Sequence, residues 1–390
     1  MVYSDDGGFW DRESGLFCQG FRSLGQDSKL VALGNPGLAT KAPVHLGSLE
    51  DLMDPGFWRK LNPTGVVFYS WAVPKYEPIA RAIKESGAKL VLKLDSDGVK
   101  SPRVSFWLQL VRAIYSSRDI KKPLPTLYGI AHTILLRLFP SLHDEKMIRH
   151  LEHADVIGIE CPVAQARLRR LLRGYGREDL ARRVEVIPHP VTADAVQDPA
   201  IPRERCIIAV GRWSSWQKDA PMLIRVLAAT LAAYPAYSAE LYGSGGDILQ
   251  RLIRDLPAEI CGRVKIGGSV DHSALIGHFQ RSRILFMPSR FEGFPNTASE
   301  AVCCGCSVVG PAQLSALVYL GGKSSGTLAP YRTFPHLRDA LEAEICEWEA
   351  GHRDPAAISR SFLPELSLRS VIEKTLRVSG KTPGAPVPSR

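Results

Sequence analysis

No stretch of 18 uninterrupted apolar residues occurs in the 390-residue chain, and a helix needs about that many to cross a bilayer. The first residues, Met1 to Gly8, hold neither the cationic start nor the apolar core of a secretory signal. These absences point to a cytoplasmic protein, at most peripheral on the inner membrane face. A disulfide framework is lacking as well: Cys18, Cys161, Cys206, Cys261, Cys303, Cys304, Cys306 and Cys346 are scattered along the chain, which suits a reducing compartment. Three of them cluster at 303–306, but no second cluster completes the four ligands of a structural zinc, and no metal is expected. Aromatic residues make up 8% of the chain and are not interleaved with the basic stretch from Arg167 to Arg183 as base-stacking platforms would be. The net charge of +9 is therefore assigned to anionic ligands or a membrane surface, and not to nucleic acid.

What is present fits a globular α/β protein. Hydrophobic residues at 45% and charged residues at 23% give the balance of a folded soluble chain, and the length suffices for two domains. Apolar runs at 30–33, 66–69, 90–94, 156–159 and 184–187 alternate with helical stretches at 12–24, 76–86 and 161–173, which predicts a parallel sheet covered on both faces. A second series of strands is expected at 206–210, 239–242, 263–266, 284–287, 307–309 and 327–329. Pro188, Pro190, Pro199 and Pro202 punctuate the connection between the two series. The expected division is thus 1–195, 203–378, and a polar, proline-rich tail at 379–390 without fixed structure.

Chemistry concentrates in the second half. Glu292 lies in a loop after the strand at 284–287, and Glu300 lies in the helix that follows. A carboxylate accepts hydrogen bonds from vicinal hydroxyls, while the helix N-terminus, with Asn296, Thr297 and Ala298 as amide donors, suits a phosphate. The plainer alternative makes Glu292 a loop cap and places Glu300 on a solvated helix face. Arg212 and Lys218 flank the loop after Gly211; fixed cations there would stabilise charge on a departing diphosphate, although surface cations are common. Gly243 and Gly245 follow one strand, and Gly267, Gly268 and Val270 follow another.

Taken in order, Gly211, Arg212 and Lys218, then Gly243 and Gly245, then Glu292 and Glu300, and the helix ending at Gly305 resemble the nucleotide-sugar domain of GT-B glycosyltransferases. The likeness is to the retaining group often called family 4 or group 1, and it runs from Cys206 to Pro330. It implies two Rossmann-like domains facing across a cleft, and transfer of a sugar from a nucleotide diphosphate sugar to an acceptor hydroxyl with retention of configuration, in glycan or glycolipid biosynthesis. No cofactor and no metal are implied. Arg212, Lys218 and Glu292 take the catalytic places, Glu300 the ribose, and Gly211, Gly243, Gly245, Val270, Gly293, Phe294, Asn296 and Thr297 the remaining donor contacts. Two features depart from the pattern: the interval from Arg212 to Lys218 is one residue longer than the common form, and Phe294-Pro295-Asn296-Thr297 stands where many relatives carry Phe-Gly-Leu-Pro. A nucleotide-sugar epimerase on the same scaffold and a non-catalytic nucleotide-sugar binding protein remain as alternatives. The acceptor is open among glycan, lipid and small molecule.

The first half is expected to hold that acceptor. Gly7 and Gly8 precede a helix, and by resemblance this turn would face the donor; the strand before it, at 2–4, is short for a buried strand, which points to a minimal strand or a start further upstream. Asp95, Ser96, Asp97 and Gly98 follow a strong strand. Asp95 and Asp97 are read as acceptor-side hydroxyl binders, against a turn-capping motif or a cation site. Residues 101–150 are apolar and helical with basic residues interspersed, which suggests core packing first and a membrane-surface segment presenting a lipid-linked acceptor second. His150, His153 and His189 are assigned no metal.

Overall fold

A computed structural model describes residues 13–34, 44–70, 73–97, 131, 134, 135, 138, 139, 141–322 and 325–380. The expected strand at 2–4, Gly7, Gly8, Gly98, residues 101–130 and 381–390 of the tail lie outside the described residues. The chain divides into two compact units, Met1–Pro190 together with Ser367–Arg390, and Val191–Leu366.

In the first unit β1 (Leu30–Leu33) pairs with β2 (Val44–Gly47) in a small parallel sheet, and β3 (Gly65–Tyr69), β4 (Lys89–Lys93), β5 (Val156–Ile159) and β6 (Val184–Val186) form a four-stranded parallel sheet in that order. β4 and β5 are buried along almost their whole length, as parallel strands covered on both faces must be. Local signals set the helices between them. Glu77–Glu85 carries a proline in its first turn, buries Ile79, Ala80, Ala82 and Ile83 on one face, and ends at Gly87, whose φ is +91°. Pro162–Gly174 begins with its proline at a position where the missing N–H costs nothing.

Helix Leu368–Val378 belongs to this unit and not, as the division at 378 anticipates, to the second. Its Val371, Ile372 and Leu376 pack with Phe17, Val91, Val156 and Ile187 in one buried cluster, and burying such side chains is worth roughly 1.5–3 kcal/mol apiece. Gly20 makes room: a Cβ there would lie 2.5 Å from Cγ1 of Ile372. Lys89 Nζ donates to the Ser379 carbonyl at 2.9 Å. The amphipathic pattern of this helix is plain in the sequence, but the partner of its apolar face is not, which is why order along the chain misassigned it.

The second unit is one six-stranded parallel sheet in the order β12-β11-β10-β7-β8-β9, comprising β7 (Glu204–Val210), β8 (Ser238–Tyr242), β9 (Val264–Gly268), β10 (Ser282–Phe286), β11 (Ser307–Pro311) and β12 (Gly326–Ala329). The chain enters at β7, builds outward through β8 and β9, and returns to the other side of β7 with β10. The strand order therefore reverses between β7 and β10, and in open sheets of this kind ligands bind beyond the strand ends at such a point. At the unit's ends, the Val191 N–H donates to the Leu366 carbonyl at 2.9 Å. Among the described residues no helix is long and apolar enough to cross a membrane.

Beneath the loops of the first sheet, Lys93 and Glu160 form a fully buried ion pair, Nζ to Oε1 2.5 Å. Glu160 also accepts the amides of Asp95 at 2.6 Å and Ser96 at 3.0 Å. Removing one member of a buried pair strands the other charge, at a cost of about 3–5 kcal/mol. Lys93→Met is therefore expected to lower the urea midpoint of the first unit's unfolding transition markedly; an unchanged midpoint would show that the pair is dispensable.

Candidate functional site

The loop after β7 is shaped by close backbone approach. The Gly211 N–H donates to the Tyr242 carbonyl at 3.0 Å and that of Trp213 to Ser244 at 2.8 Å, while the Trp213 indole N–H bonds Tyr242 at 2.9 Å. Gly243, at φ +108°, has no space for a side chain, since a Cβ would lie 2.0 Å from the Gly211 carbonyl oxygen. Gly245, at φ +86°, approaches the Ser214 nitrogen in the same way. The glycines expected to touch a ligand thus fit the loops to each other. The Gly211 amide is already engaged; what this residue supplies is room for Lys218, whose Cγ and Cδ would lie 3.1 and 3.2 Å from a Cβ.

Lys218 and Glu292, one from each side of the reversal point, meet as an ion pair at 2.7 Å, with 13% and 7% of their side chains exposed. Gln217 Nε2 donates to the other Glu292 oxygen at 3.0 Å and to the Phe291 carbonyl at 2.9 Å. Glu292 is thus more than a loop cap. Beside them the buried Asp219, in the left-handed conformation at φ 52°, is held by Arg290 Nη2 at 2.7 Å and Arg332 Nη1 at 2.6 Å. Arg290 also stacks over Trp216, 4.7 Å to the ring centroid, and its N–H donates to the Gln217 carbonyl at 2.8 Å. Arg212 is exposed and pairs with neither carboxylate. Gln217, Asp219, Arg290 and Arg332 were missed in sequence; the only signal was that Gln217 and Asp219 flank Lys218 and Arg290 lies two residues before Glu292.

Helix Asn296–Cys303 starts at Pro295 without a side-chain cap. Ala298 is not an available donor as anticipated, because its N–H bonds the Pro295 carbonyl at 3.0 Å; Asn296 and Thr297 form the helix start. Glu300 is only 8% exposed, which overturns the solvated-face alternative, and its Oε1 lies 2.9 Å from His272 Nε2. Phe294 is buried, its ring 6.4 Å from that of Tyr319; Gly293 is half-buried and Val270 is 38% exposed. Cys303, Cys304 and Cys306 are fully buried, and burial pushes the Cys306 thiol up to about 11. They are packing residues.

In the first unit, four adjacent strand ends bring Tyr69, Lys93, Asp95, Glu160 and His189 together. Asp95 takes φ 45°, and its Oδ1 lies 3.3 Å from His189 Nε2. The buried His189 ring is parallel to Tyr69, with centroids 6.1 Å apart. Pro188 and Pro190 stiffen the backbone on either side of this histidine. Asp95, Glu160 and His189 offer ligand atoms within 4.8 Å of one another, yet the Lys93 ammonium already neutralises Glu160, and a dication there would face it directly. Asp97 is not among the three residues that converge here. His150 is buried, and His153 pairs with Glu77 at 2.9 Å.

Residues 204–343 match the family described as glycosyl transferases group 1. No curated protein matches the chain. Among solved structures, a TarM mutant from S. aureus in complex with fondaparinux, α-GlcNAc-glycerol and UDP aligns at 13% identity and TM-score 0.55, covering 79% of this chain and 54% of that one. The pneumococcal O-GlcNAc transferase GtfA with UDP and GlcNAc aligns at 14% identity and TM-score 0.57, covering 84% and 59%. This chain thus spans little more than half the length of either. Anabaena HepE in complex with UDP aligns at 14% identity and TM-score 0.64, covering 97% and 98%. At such identities these likenesses speak for the fold, an α/β GT-B architecture of two parallel-sheet units. The family match lies wholly within Val191–Leu366, so it is the second unit of this chain that is similar to group 1 glycosyltransferases, over residues 204–343.

Proposed function

We propose that the protein transfers a sugar from a nucleotide diphosphate sugar to an acceptor hydroxyl with retention of configuration, in the assembly of a glycan or glycolipid on the cytoplasmic side of a membrane. The observation that carries this reading is the Lys218–Glu292 pair at the point where the strand order reverses. An ammonium has three N–H donors, so Lys218 can keep Glu292 while it meets a diphosphate. Arg212, exposed on the same loop, adds a bidentate grip. Together they oppose the charge that grows on the departing oxygen and take the place a metal ion holds in other transferases. Glu292 then offers its oxygens to hydroxyls of the sugar, and Glu300 to those of the ribose.

In this mechanism the bond from the anomeric carbon to the diphosphate oxygen breaks as the bond to the acceptor oxygen forms on the same face. The acceptor's proton passes to the leaving phosphate oxygen, so no side-chain nucleophile is needed. Holding both reactants in fixed geometry supplies much of the acceleration. Asp95, kept in its conformation by Glu160, is assigned to acceptor hydroxyls. A peripheral membrane contact is supported by Ile134, Leu135, Leu138, Phe139 and Leu142, which stand 42–66% exposed at helical spacing in a chain of net charge +9.

Three measurements test this reading. In a metal-free thermal-shift panel of UDP, GDP, ADP, dTDP and their sugar conjugates, one nucleotide at a hundredfold excess over Kd should stabilise the protein by about 2.7 kcal/mol, and Glu300→Ala should abolish the shift. Arg212→Ala and Lys218→Ala should each slow release of nucleoside diphosphate from that donor, across an acceptor panel, by about 10²-fold; near-normal rates would remove both from the mechanism. Product formed without any acceptor would mark an epimerase, and binding without turnover a non-catalytic protein. On anionic liposomes the wild type should float and Leu138→Asp/Phe139→Asp should not; equal recovery would leave the apolar stripe without a membrane role.

A further inference from the structure

We propose that His272 is the positioning residue for the Glu300 carboxylate, and that it joins the exit of β9 to helix Asn296–Cys303 so that the nucleoside is read as one unit. This rests on the donor-site reading above. His272 opens helix His272–Arg281 two residues after Val270, an exposed residue expected among the donor contacts, and its Nε2 reaches Glu300 Oε1 at 2.9 Å. The two residues come from different helices, the one after β9 and the one after β10.

The chemistry gives the contact a purpose. A glutamate side chain is long and rotamer-rich, and ordering it when a ligand arrives would cost conformational entropy. One imidazole N–H fixes the carboxylate in advance, which is the usual route by which preorganisation raises affinity. That bond uses one of the roughly four lone-pair sites of a carboxylate. The imidazole is 38% exposed, so it flanks the carboxylate and does not cover it. A fixed, largely buried acceptor also discriminates: a ligand lacking the hydroxyls forgoes its hydrogen bonds to the carboxylate and binds more weakly. His272 is thereby a determinant of ribose recognition.

The test is calorimetric titration of the full chain with UDP, GDP and ADP and with their 2′,3′-dideoxy counterparts, in the wild type, His272→Ala and His272→Gln. The expected result is that His272→Ala binds the preferred ribonucleotide about tenfold more weakly, a difference of about 1.4 kcal/mol, while affinity for the dideoxy form is unchanged. His272→Gln, whose amide N–H can serve the same oxygen, should recover to within about threefold of wild type. Equal weakening toward both ligands, in a variant that melts as the wild type does, would make His272 a packing residue and overturn the proposal; so would no change toward either. A wild type that binds none of the three nucleotides would instead remove the donor-site reading, and this inference with it.

Discussion

One buried carboxylate holds the site together. Asp219 sits at the end of the loop after β7, in a backbone conformation that favours glycine, and binds arginines from the loops after β10 and β12. A carboxylate this enclosed is tolerable only with such partners, and satisfying it forces three connections to converge at the carboxyl edge of the sheet. Lys218, its neighbour in sequence, is delivered to Glu292 by that convergence. Gln217 and Trp216 complete the seam through Arg290. The parts assigned to catalysis are therefore anchored by residues that need not touch a substrate.

Both sheets share this economy of means. Their strands are short and mostly apolar, and the polar groups of interest stand at a strand's last residue or in the segment that follows it. In the first unit a buried Lys–Glu pair does for the Asp95 loop what Asp219 does for the second: it engages the amides of a turn and fixes a non-glycine residue with positive φ. Such conformations persist where surrounding contacts over-determine them, and both mark loops given a functional assignment.

The sequence carried the strands well, because runs such as Cys206 to Val210 and Ile284 to Phe286 are continuous and bounded by glycine or proline. Strand β2 was missed; its four residues, Val44 to Gly47, include a histidine and a glycine and give no apolar run. Glu292, Glu300, Arg212 and Lys218 stood out by their place after strands and by resemblance to a family pattern. Their partners did not, since Arg332 lies over a hundred positions from Asp219 and nothing local distinguishes it from other surface arginines. The role of the glycines was half legible. A tight approach was foreseeable at Gly243 and Gly245, but that the approach is to another loop depends on which strands lie side by side. Ala298 shows the same limit: a proline at the helix start was visible, yet the capture of the Ala298 amide by the Pro295 carbonyl follows from the exact turn.

The return of helix Leu368–Val378 to the first unit has a consequence for how the polypeptide is made. Residues Val191–Leu366 form an uninterrupted segment whose ends are joined by a hydrogen bond, so this part has all its internal contacts in hand once residue 366 has left the ribosome. The earlier-synthesised part does not, because Phe17, Val91 and Ile187 wait for Val371, Ile372 and Leu376 to complete their cluster. Domains generally fold in the order they emerge; here the first to appear is the last to be finished. Until helix Leu368–Val378 is made, that cluster is incomplete, and the exposed apolar surface favours aggregation in the interval.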